Sequence, residues 1–178
     1  MKNKKKCLLS LILALCLCMA LAAPAWAADD VDENNVGEYI NGMGYLVSSE
    51  RIDNEDGTYF IENIYVNKPL SYFRSDIAAT ATYTKENIAK SNAGRIFMKY
   101  QVTATFHWDY LDQTVEVWDP VGEVTYLESG KISNEQVTTS GNNTKKASAT
   151  FSFTRSTTVG YSNNHSVTVH CYYQGVHN

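Results

Sequence analysis

Between Arg95 and Trp108 the chain alternates with a period of two. Ile96, Met98, Tyr100, Val102, Ala104, Phe106 and Trp108 are apolar or aromatic, while Phe97, Lys99, Gln101, Thr103, Thr105 and His107 fall between them. Side chains alternate faces along a strand, so this stretch predicts a long central β-strand with one apolar and one mostly polar face. Thr, Val, Tyr and Phe also suit a pleated, half-buried surface. Burying each large residue of the apolar face is worth about 1.5–3 kcal/mol, an upper value because the unfolded chain already hides some surface.

The same pattern recurs on both sides. Residues 44–52 and 58–66 read as strands joined by Asp53-Asn-Glu-Asp-Gly57, and Asp-Gly between two such runs is a strong hairpin signal. Lys68-Pro69 ends that unit. Residues 76–85 read as a strand or, with Ser75 as N-cap, a short helix; the run Thr80-Ala-Thr-Tyr-Thr84 favours the strand. Residues 87–94 then form the loop into the central strand. After a turn at 109–112, residues 113–118 return as a strand that Asp119-Pro120 breaks, since proline cannot donate to a ladder. Further strands are expected at 121–127 and 131–139, split by Glu128-Ser-Gly130. Two more follow the loop at 140–143: one alternating through Ala147, Ala149, Phe151 and Phe153, and one through Val167, Val169, Cys171 and Tyr173. Short alternating strands punctuated by turn residues indicate an all-β sandwich or barrel. The expected fold is an antiparallel β-sandwich, immunoglobulin-like or related, of eight or nine strands.

The N-terminus changes the domain picture. A Lys-rich start, an apolar run from Cys7 to Ala23 and a small-x-small site at Ala25-Trp-Ala27 read as a signal peptide cleaved after Ala27. The competing reading is a retained anchor, since the run approaches the length of a membrane span. Leu15 and Leu17 precede Cys16 and Cys18 where lipid attachment would need a small residue. The expected organisation is therefore a signal peptide at 1–27, a flexible acidic arm at 28–42 and a β-sandwich domain at 43–178, with the product secreted or extracellular and touching the membrane only during export.

Removing 27 of the 178 residues leaves 151, enough for one domain with a real core. The leader holds four of the 15 Lys+Arg and none of the 19 Asp+Glu, so the remainder carries 11 basic against 19 acidic side chains, a net −8. That balance disfavours nucleic acid as a partner. Three of the four cysteines lie in the leader, so Cys171 stays alone and an internal disulfide is impossible in the processed chain. Its place beside Val169 predicts a small buried apolar residue; an intermolecular bridge or a reactive thiol are the alternatives.

Enzyme chemistry has one candidate. The segment Val167-Thr-Val-His-Cys171 resembles the strand that carries the sortase cysteine, and His107 stands at a sortase-like interval upstream. A cysteine transpeptidase or hydrolase of that kind would use Cys171 as nucleophile and His107 as acid/base partner. It would also need an Arg shortly after the cysteine to steady the oxyanion, and none follows. His107, His165, His170 and His177, with Asp109 and Asp112, show no metal-ligand spacing on one face. Phosphate-loop, dinucleotide, nucleophile-elbow and zinc-protease strings are absent. No cofactor is expected, and the reading is non-enzymatic.

A binding module is the remaining class. The 12 Tyr and three Trp offer flat amphipathic rings, and Trp118, Tyr126, Tyr172 and Tyr173 are candidate ligand contacts, able to stack on a cell-wall glycan or anchor an envelope protein. An exposed row would favour ligand binding; scattered rings would favour a structural domain. Asn142-Asn-Thr144 and Asn164-His-Ser166 match the glycosylation pattern, but the leader has a bacterial character.

The Lys-rich leader, Ser48-Ser-Glu50, Glu55-Asp-Gly-Thr-Tyr59, Val102-Thr-Ala-Thr-Phe106, Ser140-Gly-Asn142 and Val167-Thr-Val-His-Cys171 together resemble a group of small uncharacterised exported proteins of Gram-positive anaerobes. The resemblance implies a secreted β-rich domain and carries no assigned activity. Members often have a second cysteine in the segment matching 112–117; this chain has none there, so that disulfide does not transfer.

Overall fold

The computed structural model describes residues 36–68 and 78–174. The leader, residues 28–35 of the acidic arm, Ser75, Asp76 and His177 lie outside them. The described residues are all-β. Their nine strands are β1 (Tyr39–Ile40), β2 (Gly44–Asp53), β3 (Tyr59–Val66), β4 (Ala78–Lys90), β5 (Ile96–Asp109), β6 (Thr114–Leu127), β7 (Lys131–Ser140), β8 (Lys146–Ser156) and β9 (Ser162–Tyr172). They form two antiparallel sheets, ordered β1-β2-β3-β4-β5-β6 and β7-β8-β9. Both orders are meanders, in which neighbours in sequence are neighbours in space. They lack the exchange between sheets that a Greek-key immunoglobulin order requires.

The β2–β3 hairpin forms where Asp-Gly predicts it. Gly57 takes φ +82°, and Asp56 accepts hydrogen bonds from both the backbone N–H and the hydroxyl of Thr58, at 2.9 and 2.6 Å. Three other boundaries differ from the sequence reading. The end of the expected acidic arm is ordered: Tyr39–Ile40 pairs with β2, and the Tyr39 ring meets Tyr45 edge-on at 5.2 Å. The loop expected at 87–94 starts only after Lys90, because β4 stays paired with β3 and β5 on both sides up to that residue. Asp119-Pro120 does not end a strand. It forms a bulge within β6, with Asp119 at φ +49°, between Trp118 paired to Thr105 and Val121 paired to Thr103. β6 is the last strand of its sheet, so a residue without an N–H is tolerated there. Glu128–Gly130 splits β6 from β7 where expected, and it carries the chain from one sheet to the other.

One apolar cluster joins the two sheets. β5 contributes Met98, Tyr100, Val102, Ala104, Phe106 and Trp108, all buried, on the face expected from the alternation. Large and small side chains alternate across the β4–β5 pairs: Ala79 opposes Trp108, Ala81 opposes Phe106 and Tyr83 opposes Ala104. The gaps left by the alanines let Tyr83 and Phe106 meet edge to face, with centroids 6.2 Å apart. From the other sheet come Phe151, Phe153, Val167, Val169 and Cys171. Phe151 lies against the backbone of Gly122, where a Cβ would fall 2.3 Å from the ring. The edge of β6 is tied down at one end: Val115 bridges to Thr144, and the Val117 N–H donates to Asn142 Oδ1 at 2.7 Å.

Candidate ligand-binding face

The opposite face of the six-stranded sheet carries the polar half of the alternation. On it, three cross-strand pairs hydrogen-bond: Thr80 with His107 at 2.8 Å, Thr82 with Thr105 at 2.9 Å and Thr84 with Thr103 at 2.8 Å. β-Branched Thr suits the strand, and directly opposed Thr pairs satisfy one another. The Thr80 hydroxyl fixes the orientation of the His107 ring. The indole of Trp118, from β6, stacks on that ring with centroids 5.6 Å apart and planes within 6°. Trp118 is nevertheless 44% exposed. It is a flat ring held from behind and open to solvent in front.

Two bulges give β6 its outer face. Register against β5 pairs Trp118 with Thr105, Val121 with Thr103, Glu123 with Gln101 and Tyr126 with Lys99. The shifts at Asp119-Pro120 and at Val124-Thr125 re-phase the strand, so 118, 121, 123 and 126 share one face although they do not follow a strict period of two. Val121 and Tyr126 are also exposed, by 59% and 44%. The result is an apolar stripe one strand wide, bordered on β5 by Thr105, Thr103, Gln101 and Lys99.

A polar row crosses the same face. Ser49, Asn63, Glu86, Gln101 and Glu123 stand opposite one another on β2 to β6. Gln101 donates to Glu123 at 2.8 Å, and the Tyr65 hydroxyl reaches Glu86 at 3.5 Å. Burial holds the Glu86 pKa above the ordinary carboxylate value, against the opposing pull of Lys99, Asn63 and Tyr65. Burial, with the Glu86 charge adding to it, likewise pushes Tyr65 up. Asn63 lies close enough to favour the charged forms of both, yet neither of its amide atoms reaches a hydrogen bond, although the side chain is fully buried.

The four aromatic candidates divide. Trp118 and Tyr126 come together on this face. Tyr172 and Tyr173 do not join them: Lys146 Nζ sits 5.1 Å from the Tyr172 ring, while Tyr173 packs against the core and lies 5.8 Å from Tyr110. Of the other exposed rings, Tyr110 makes that contact with Tyr173, and Tyr161 lies at the turn before β9. Val121 and the threonine pairs were not singled out from the sequence. The signal available there was the run of Thr at 80, 82 and 84 facing Thr103 and Thr105.

His107 and Cys171 are not brought together. Cys171 is fully buried on the core side of β9, and burial pushes its thiol up to about 12. His107 points to the other side of β5 and bonds Thr80. Among the described residues, no three His, Cys, Asp or Glu side chains converge as a metal site would require. His165 and His170 sit apart on β9, and burial lowers the pKa of both, with Arg155 adding to it at His165 and Lys146 and Lys85 at His170.

No protein-family model, curated protein or solved structure matches the chain.

Proposed function

We propose that this chain is an exported, non-enzymatic binding module of the cell envelope or extracellular space. It folds as a two-layer β-sandwich and meets its ligand with the outer face of β5 and β6. The observation that carries the reading is Trp118: half-exposed, stacked on His107, and held through Thr80. Exposing an aromatic costs hydration free energy unless a ligand covers it, and rigid aromatic anchors are enriched where binding energy concentrates. Fixing the ring before binding also lowers the entropy lost on association. Export rests on the Lys-rich leader and Ala25-Trp-Ala27, and kinship with exported proteins of Gram-positive anaerobes belongs to the same proposal.

The test is co-sedimentation of the purified processed chain with washed envelope fractions of a Gram-positive anaerobe. Trp118→Ala and Tyr126→Ala should each lose binding, while Tyr161→Ala, an exposed ring at a turn, should keep it. Equal binding by all four proteins would remove this face from the function. N-terminal sequencing of secreted material should begin at Ala28; an intact leader in a membrane fraction would refute the export step.

A further inference from the structure

The geometry points to a neutral polysaccharide chain, laid along β6 across Trp118, Val121 and Tyr126, as the ligand of this face. The inference rests on the proposed function and names its ligand class.

Three features select that chemistry. The first is length. Trp118 and Tyr126 are eight residues apart on one strand, on the order of 25 Å at about 3.3 Å per residue and somewhat less through the bulges. Two rings that far apart on one line engage an extended polymer rather than a single small molecule. The second is width. The stripe is one side chain wide, because every facing position on β5 is polar. A protein partner needs a contiguous apolar core from which water is excluded. That core is missing here, whereas a chain of polyol rings can use isolated flat aromatics with hydrogen-bonding groups beside them.

The third feature is charge and hydrogen-bonding capacity. Glu116 and Glu123 lie on the outer face of β6, and Lys99 is the basic side chain that borders the stripe. This balance repels an anionic polymer. Glu123 is exposed and accepts only the Gln101 amide among the hydrogen bonds of this row, so its carboxylate can accept further donors. Ligand hydroxyls are such donors.

Native affinity electrophoresis tests the inference with the processed chain run through gels containing soluble starch, xyloglucan, galactomannan or dextran, and a parallel gel of polygalacturonate as the anionic control. At least one neutral polymer should retard the wild-type chain. Trp118→Ala and Tyr126→Ala should bind that polymer about tenfold or more weakly, a loss of about 1.4 kcal/mol. Trp118→Phe should keep part of the affinity, and Tyr161→Ala all of it. Unchanged melting temperatures exclude misfolding as the cause. Preference for polygalacturonate would overturn the inference. So would no retardation in any neutral gel; if Trp118-dependent sedimentation with envelope persisted, the binding face would stand and only the glycan would fall. Retardation indifferent to both Trp118→Ala and Tyr126→Ala would overturn the inference and the proposed face together.

Discussion

Gly122 offers a direct test of how the two sheets fit. It pairs with Val102 on the inner face of β6, and an added Cβ would lie 2.3–2.5 Å from three atoms of Phe151. Its φ lies outside the left-handed region, so the backbone itself accepts alanine. Without the clash, Gly122→Ala would stabilise by about 0.4–1 kcal/mol by restricting the unfolded chain. With it, Phe151 must shift within a packed core, which costs about 1–3 kcal/mol. The clash is the larger effect, so the net expectation is a loss of about 1–2 kcal/mol, or about 2–4 °C per kcal/mol for a domain of this size.

A double-mutant cycle isolates the contact. Phe151→Ala alone should cost about 3–5 kcal/mol through the cavity it leaves. In that background the added methyl at residue 122 enters vacated space, so Gly122→Ala should become neutral or mildly stabilising. The coupling should exceed about 1 kcal/mol, well beyond the few tenths seen between independent sites. Urea unfolding at constant m-value measures all four proteins. If Gly122→Ala were as damaging without the Phe151 ring as with it, Phe151 would not be what excludes a side chain there.

Two further predictions concern ionisable groups inside the fold. Cys171, with its thiol pushed up to about 12, should resist alkylation by iodoacetamide at neutral pH and react once the chain is unfolded; rapid labelling of folded protein would mean that the core side of β9 is open. Glu86 has a folded pKa above the ordinary 4.5, so the native state holds its proton longer and stability is lost as pH rises from 4.5 through the folded value. Glu86→Gln should therefore gain melting temperature over wild type at pH 7 and lose that advantage near pH 4, whereas a difference independent of pH would refute the burial argument.

Part of this architecture was legible in the residues. The faces of β5 could be read because its apolar positions follow an unbroken period of two from Met98 to Trp108. The β2–β3 turn could be read because Asp-Gly states its backbone conformation. β6 could not, for the converse reason. Alternation counted from Trp118 would place Gly122 and Val124 beside it, but the bulge at Asp119-Pro120 sends these residues inward to Phe151 and the core and brings Val121 and Glu123 outward, and the second bulge returns Tyr126 to the outer face. A bulge depends on the partner strand, and no local pattern announces it. The division between sheets was hidden similarly: Glu128-Ser-Gly130 has turn composition whether the following strand pairs back or crosses over. His107 was visible as a candidate, but its role depended on Trp118, which the pairing of β6 with β5 places against it.

The bulges of β6 also bear on how a ligand can approach. An edge strand with exposed aromatic and aliphatic side chains is a hazard, since another strand can pair with its free N–H and C=O groups. Here Pro120 removes one donor, Asp119 turns the backbone to φ +49°, and Asn142 and Thr144 occupy the edge at Val115 and Val117. These devices obstruct a strand adding along the edge. They leave the rings of Trp118 and Tyr126 untouched, because those project from the sheet face, perpendicular to the hydrogen-bonding direction. Protection of the edge and exposure of the face therefore coexist on one strand. A ligand that stacks on side chains is admitted, and one that must pair with the backbone is refused.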